Sequence, residues 1–135
     1  MLTGGCLCGE VRYEARGEPY AKGVCHCVTC RRASGAPMVA WFSQKLADFS
    51  LEGRLTEYRS SAHAVRRFCP RCGSQVLFDD SRHPDEVDIS TATLADPGAV
   101  APDFHIWVRS KLPWIKLDDG LPQYAESSKG AQPLC

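Results

Sequence analysis

The chain has 135 residues, which at about 100–200 residues per domain makes it one domain with room for a genuine core. Hydrophobic residues make up 44% and charged residues 24%, ordinary values that exclude a disordered or fibrous chain. Sixteen basic residues balance sixteen acidic ones, and a formal net charge of zero gives no electrostatic reason to expect nucleic acid as a partner.

Strand signals dominate the pattern in chain order. Glu10-Val11-Arg12-Tyr13-Glu14-Ala15 alternates polar and apolar and reads as a half-buried strand. A short helix is expected from about Val28 to Ala33, directly over a group of cysteines. Met38–Phe42, after Pro37, suits a buried strand. Leu55–Arg59, Val65–Phe68, Gln75–Phe78, Val87–Ala92 and Phe104–Val108 are further strand candidates, rich in β-branched and aromatic residues. Turn residues separate them at Glu52-Gly53, Asp79-Asp80-Ser81, His83-Pro84 and Asp96-Pro97-Gly98. No window sustains a long helical period, so the domain is expected to be mostly β with little helix. The segment after Tyr124 is small and polar and is expected to fray.

No apolar run approaches the roughly 18 residues of a spanning helix, so no membrane partner is expected. The N-terminus, Met1 to Tyr13, lacks the basic end and apolar stretch of a signal peptide, and the expectation is a cytoplasmic protein. Eight cysteines in such a chain point to metal or redox chemistry rather than to disulfides.

Seven of the cysteines fall in three clusters, Cys6-Leu7-Cys8, Cys25-His26-Cys27-Val28-Thr29-Cys30 and Cys69-Pro70-Arg71-Cys72; the eighth, Cys135, is the last residue. Cys69-Pro70-Arg71-Cys72-Gly73 is a knuckle that can aim two sulfurs at one ion, the glycine allowing the tight backbone approach. If Cys6 and Cys8 lie on an extended strand, their sulfurs face one side as well. Together Cys6, Cys8, Cys69 and Cys72 read as a closed structural zinc site. Disulfides, a redox pair and reduced core cysteines are the competing readings.

Cys25, Cys27 and Cys30 offer three sulfurs within six residues, the ligand number of a catalytic or labile zinc whose further position takes water or a substrate thiolate. Three thiolates leave such a site with net negative charge, which favours sulfur chemistry over the activation of water. Zinc ionises a bound thiol at neutral pH without a dedicated base. Three alternatives stand beside this reading. Cys27 and Cys30 could be a redox dithiol, although the βαβ context of that motif is absent. His26 could be a fourth ligand, although on an extended segment it points away from its neighbours. Cys135 could close the site if the tail folds back. Arg31, with Ser34 and Gly35 just beyond, is a candidate substrate-binding group, because a guanidinium grips a carboxylate in a bidentate way; a solvated basic turn is the competing reading. Trp41, Trp107 and Trp114 read as core or rim residues, and His63, His83 and His105 as structural ones.

These residues carry a resemblance. Gly4-Gly5-Cys6-Leu7-Cys8-Gly9 with Val11-Arg12-Tyr13, then Cys25-His26-Cys27, Cys30-Arg31-Arg32 and Ser34-Gly35, then Arg67-Phe68-Cys69 and Cys72-Gly73-Ser74, resemble the glutathione-dependent formaldehyde-activating enzymes, a family that includes centromere protein V. Thr93-Leu94, Pro102, His105-Ile106, Lys111, Trp114 and Asp119-Gly120-Leu121-Pro122 match as well. The resemblance implies a β-tent of small antiparallel sheets around a structural zinc on Cys6, Cys8, Cys69 and Cys72. It implies a second zinc, associated with catalysis, on Cys25, Cys27 and Cys30. It also implies a carbon–sulfur lyase reaction joining glutathione and formaldehyde to S-hydroxymethylglutathione. Residues 1–125 are then one formaldehyde-activating-enzyme-like domain and 126–135 a polar tail. The family's glutathione-named members carry sequence before the Gly-Gly-Cys motif, and this chain starts almost at it, so contacts from such an extension are expected to be missing. The expected partners are a small thiol such as glutathione and a small aldehyde. A non-enzymatic zinc-binding module or metal or thiol carrier is the alternative, and zero net charge argues against a chromatin role.

Overall fold

Tyr13 and Ala15 are buried while Arg12 and Glu14, which alternate with them, turn toward solvent, so one short stretch of sequence defines a core face. A computed structural model describes residues 1–127 and contains, in chain order, β1 (Leu2–Gly5), β2 (Arg12–Ala15), β3 (Tyr20–Cys25), α1 (Val28–Ser34), β4 (Val39–Lys45), β5 (Phe49–Glu52), β6 (Thr56–Arg59), β7 (Ala64–Phe68), β8 (Gln75–Asp80), β9 (Glu86–Ser90) and β10 (Phe104–Ile106). Short 3-10 turns lie at Leu46–Asp48, Thr91–Thr93, Pro97–Ala99 and Val108–Ser110. The chain is mostly β, as its composition of short β-branched runs implies.

The strands form two sheets. A three-stranded sheet has the order β1-β2-β5, and a seven-stranded sheet has the order β10-β3-β4-β9-β8-β7-β6. All pairs are antiparallel except β10 with β3, which places His105 beside Val24 and Ile106 beside Cys25. Tyr13, Ala15, Phe42, Val76, Leu77, Val87, Ile89, Leu94 and Val100 form the main core. A second buried cluster comprises Cys25, Cys27, Cys30, Val39 and Trp107, with Trp41 and Ile106 packed on it. β4 separates the two: Phe42, fully buried, faces the main core opposite Ile89, while its neighbour Trp41 packs with the cysteines. The first sheet is tied in by Tyr13, whose hydroxyl lies 2.8 Å from Thr93 Oγ1, and by the bridge between Gly4 and Leu94. A side chain at position 4 would run into the Tyr13 ring and the Thr93 carbonyl, which accounts for glycine there.

The helix and the later strands fall where the sequence places them, with three informative differences. Glu10 and Val11 are outside β2, because the Val11 carbonyl accepts from Cys6 N–H and its own N–H donates to Cys6 Sγ. β9 stops at Ser90, where Thr93 Oγ1 donates back to the Ser90 carbonyl and starts a 3-10 turn. β10 stops at Ile106 because Trp107 adopts a left-handed conformation, φ 58°. β1, β3 and β5 are additional. The start of the expected tail is held: the Glu126 carbonyl accepts Trp107 N–H at 3.0 Å and its carboxylate meets Arg109 at 2.7 Å. Residues 128–135, including Cys135, lie outside the described residues. No described helix is long and apolar enough to cross a membrane.

Asp88 lies opposite Phe78 and Ser43 in the large sheet. Burial pushes its carboxyl up to about 6; the Ser43 hydroxyl, donating at 2.6 Å, opposes this, and Glu86, Asp80 and Asp79 add to it. The folded state therefore keeps a proton that the unfolded chain releases near pH 4, so stability is lost as pH rises from about 4 through 6. Asp88→Asn, which keeps the acceptor for Ser43, should be more stable than wild type at pH 7 by about 1–3 kcal/mol and indistinguishable at pH 4. Urea unfolding at the two pH values measures the difference, and equal stability at pH 7 would refute the assignment.

Candidate metal centres

β1 ends at Gly5 and β7 at Phe68, and each strand runs directly into a cysteine turn. The sulfurs of Cys6, Cys8, Cys69 and Cys72 all lie within 4.8 Å of one another. Cys6 Sγ is 3.5 Å from Cys8 Sγ, which is 3.7 Å from Cys69 Sγ. Sulfurs at about 2.3 Å from a tetrahedral ion would stand about 3.8 Å apart, so the donor set fits a structural metal. Cys6 and Cys8 reach this geometry by a turn rather than by the strand the sequence suggested. Gly9 N–H donates to the Cys6 carbonyl, and Gly9 sits at φ 83°. The Cys69–Cys72 turn is its counterpart, with Gly73 N–H donating to the Cys69 carbonyl at 2.8 Å and Gly73 at φ 77°. Left-handed backbone, more than close approach, is what requires glycine there, since a Cβ at Gly73 would meet nothing.

The acid–base state of this cluster also calls for a cation. The Ser74 hydroxyl and backbone N–H, followed by Cys8 N–H, draw the Cys72 thiol down to about 5. Cys6 is lowered too: burial opposes the shift, and the Val11 N–H and the thiols of Cys8 and Cys69 outweigh it. Cys8 goes the other way, to about 12, because burial and the sulfurs of Cys6, Cys69 and Cys72 overcome the lowering pull of Glu10 N–H. Four sulfurs this close cannot all ionise without a positive ion among them.

The second cluster is built locally. β3 delivers Cys25, and Cys27 is the N-cap of α1, its sulfur accepting Cys30 N–H at 3.2 Å. The sulfurs of Cys25, Cys27 and Cys30 lie within 4.8 Å of one another and all three residues are buried. This donor set too could hold a metal ion. Arg31 lies on α1, half-buried, with a buried Nε that has no hydrogen-bond partner among the described residues. Ser34 Oγ donates to the Cys30 carbonyl at 2.7 Å, and Gly35, left-handed at φ 68°, ends the helix by donating to the Arg31 carbonyl. Trp107 is buried beside the cysteines, Trp41 half-buried, and Trp114 65% exposed.

Two features beside this cluster escaped the sequence reading. Arg66, on β7, is buried, with Nη1 and Nη2 at 3.8 and 3.7 Å from Cys30 Sγ. Nothing in the sequence distinguished it from Arg67, which faces Asp79 at 2.7 Å; only strand alternation after β7 is recognised separates the two. The other is the link from His26 to His105: the His26 ring turns away from the sulfurs, as an extended segment implies, and places Nε2 2.9 Å from His105 Nδ1. His105 Nε2 in turn lies 2.7 Å from Asp119 Oδ2. Neither His26 nitrogen is among the ligand atoms that converge with the sulfurs of Cys25, Cys27 and Cys30.

Burial holds His26 down at about 4, helped by the charges of His105, Lys111 and Arg31 against that of Asp119, so the ring is neutral. When Asp119 accepts from His105 Nε2–H and His105 Nδ1 accepts from His26 Nε2–H, His26 Nδ1 keeps a lone pair. That nitrogen is buried without a hydrogen-bond partner among the described residues. Long-range proton–nitrogen NMR at pH 8 should show His26 protonated at Nε2 only; a proton on Nδ1 would reverse the donor order. For the first cluster, Cys69→Ser should lose one bound metal equivalent and the cooperative fold together, a loss on the order of 10 kcal/mol. Metal analysis and circular dichroism check this, and a folded variant lacking that metal would refute it.

Two cysteine clusters that could each hold a metal ion, joined to a mostly β scaffold, define a small cysteine-rich class of domain. Residues 1–110 match the model of the glutathione-dependent formaldehyde-activating enzyme family, and the chain belongs to that family. A Schizosaccharomyces pombe protein named as an uncharacterized lyase is 33% identical over 75 residues, covering 56% of this chain and 55% of that protein. The chain thus spans about half the length of that curated relative. A crystal structure of a Rhodobacter sphaeroides protein superposes with a TM-score of 0.56 at 25% identity, covering 90% of this chain and 98% of the other.

Proposed function

We propose that residues 1–125 form a zinc-dependent enzyme of the carbon–sulfur lyase type, acting on adducts between a small thiol such as glutathione and a small aldehyde such as formaldehyde, in the cytoplasm. The observation that carries this reading is the buried convergence of Cys25, Cys27 and Cys30 beside α1 in a member of this family. Zinc held by three cysteines supplies a further coordination position at which a thiol is acidified.

The chain's own residues supply the rest. Cys25, Cys27 and Cys30 are the catalytic metal ligands, and Cys6, Cys8, Cys69 and Cys72 hold the structural zinc. Cys27 Sγ accepts Cys30 N–H, a bond that stabilises thiolate charge on that sulfur. The Arg31 guanidinium binds a carboxylate of an acidic thiol, and Ser34 and Gly35 complete that substrate-binding face by fixing the helix end that carries it. In the forward direction the thiolate sulfur bonds to the carbonyl carbon, the carbonyl π bond breaks, and its oxygen takes a proton. In reverse the hydroxyl proton leaves, the carbonyl re-forms, and the thiolate departs.

The burial of all three sulfurs favours one other reading, a zinc-binding module or thiol carrier with no turnover. Exchange of aldehyde between free and adducted forms, followed by NMR and corrected for the enzyme-free rate, separates the two. Wild type should exceed the uncatalysed rate and Cys27→Ser should not. Arg31→Ala should weaken glutathione relative to a neutral thiol about tenfold or more, since a charge-assisted contact is worth roughly 1.5–3 kcal/mol. Wild-type turnover in Cys27→Ser would leave the module as the surviving account.

A further inference from the structure

The two cysteine clusters differ in what faces their sulfurs. Around Cys6, Cys8, Cys69 and Cys72 the described donors are neutral: Val11 N–H at 3.3 Å from Cys6 Sγ and the Ser74 hydroxyl at 3.2 Å from Cys72 Sγ. The nearby Arg71 pairs with Glu10 at 2.7 Å, out in solvent. At the second cluster the neutral Cys30 N–H and Thr29 hydroxyl lie against Cys27 Sγ, and a charged guanidinium lies against Cys30 Sγ as well. Arg66 is 4% exposed, and both its terminal nitrogens point at one sulfur, that of Cys30. Gln75 Oε1 accepts from Nη1 at 3.2 Å. The guanidinium lies over the Phe78 ring, 5.0 Å from its centroid, and Phe78 packs on Trp41 at 5.9 Å. The strand register sets this geometry, since Arg66 pairs with Phe78 across β7 and β8.

A guanidinium is charged at every accessible pH, and burying one is costly unless it meets compensating charge. Three thiolates around a divalent ion carry one net negative charge. A fourth, incoming thiolate would raise it to two in a low-dielectric site, where like charge repels most strongly. A fixed positive charge at Cys30 Sγ removes that increment. We infer that Arg66 is a specificity-determining residue of the second cluster: its charge, resting on the Cys30 sulfur, lets an anionic sulfur ligand join three thiolates and so selects thiolates over neutral ligands. This rests on the proposed metal-binding role of Cys25, Cys27 and Cys30. It adds a group that touches neither thiol nor aldehyde and acts through the cluster's charge.

The test uses full-length protein loaded with cobalt(II), whose absorption bands report each sulfur that joins the metal. Two probes are titrated, 2-mercaptoethanol as the anionic sulfur ligand and imidazole as the neutral one. Arg66→Met keeps the stem over Phe78 and removes the charge, Arg66→Gln removes it with a polar head, and Arg66→Lys keeps it. Met and Gln variants should bind 2-mercaptoethanol about tenfold or more weakly, on the scale of a lost charge-assisted contact, with imidazole unchanged. Lys should recover most of the loss. The Gln variant carries the comparison if the Met variant does not fold. Equal weakening of both probes, or of neither, overturns the inference. A wild type that binds 2-mercaptoethanol without turnover refutes the lyase reading and leaves Arg66's role standing. A wild type whose spectrum no thiol alters refutes both.

Discussion

Electrostatic repulsion among clustered sulfurs organises this molecule. Cys6 and Cys8 follow the last residue of β1, and Cys69 and Cys72 follow the last residue of β7, so one tetrad joins the ends of strands from two different sheets. Its members part in acidity: the Ser74 hydroxyl and N–H draw Cys72 down to about 5, while the neighbouring sulfurs help push Cys8 up to about 12. Once a positive charge sits among them, the repulsion becomes a clamp. That clamp would hold the three-stranded sheet over the core, with Val11 N–H on Cys6 Sγ and the Ser74 hydroxyl against Cys72 Sγ. Hydrophobic burial supplies the bulk of the driving force through Tyr13, Phe42, Ile89 and their neighbours. A tetrad closed on a metal ion would fix how those faces meet.

The second cluster answers the same repulsion with a different device. Three sulfurs come from one short segment, so backbone connectivity brings them together, and a buried arginine from a distant strand supplies a fixed charge beside them. On the opposite side of the segment, His26 and His105 hand a hydrogen-bond direction inward from Asp119. The peptide linking Cys25 to Cys27 is thus held by groups that never touch the sulfurs. A centre of this sort is stiff around its ligands while its chemistry stays adjustable through neighbours.

The cysteine spacings alone were enough to sort seven residues into the two groups that the structure gathers, because ligands for one ion must sit within a few residues of each other or on paired turns. The short helix over Cys30 was legible for the same reason. The strand argument for Cys6 and Cys8 reached the right grouping by the wrong geometry, since Gly9 makes the segment a turn. β1 was not readable because Leu2-Thr3-Gly4-Gly5 has only one apolar side chain to alternate. The glycine that hides it is demanded by Tyr13, a neighbour known only after folding. Arg66 and the histidine pair were invisible for a related reason: their roles depend on register across β7–β8 and on the parallel pairing of β3 with β10, and neither is written locally. The family resemblance and the residues agreed on the scaffold and left these partners to the coordinates.

The two clusters also differ in how much chain must be gathered to complete them. Cys27 caps a helix through Cys30 N–H, three residues away, so that centre is assembled at the loop-closure entropy of a single turn. The tetrad closes the chain between Cys8 and Cys69, 61 positions apart, and cannot form before β1 and β7 have found their sheets. Low contact order therefore belongs to the centre proposed for chemistry, and high contact order to the one that secures the fold. A nascent chain can offer its first complete thiol site once Cys30 is exposed, well before the domain exists. Metal captured there early would enter a segment whose sheet face, arginine and histidine partners are still unmade, so the same three sulfurs would form a local site first and a tuned centre only later.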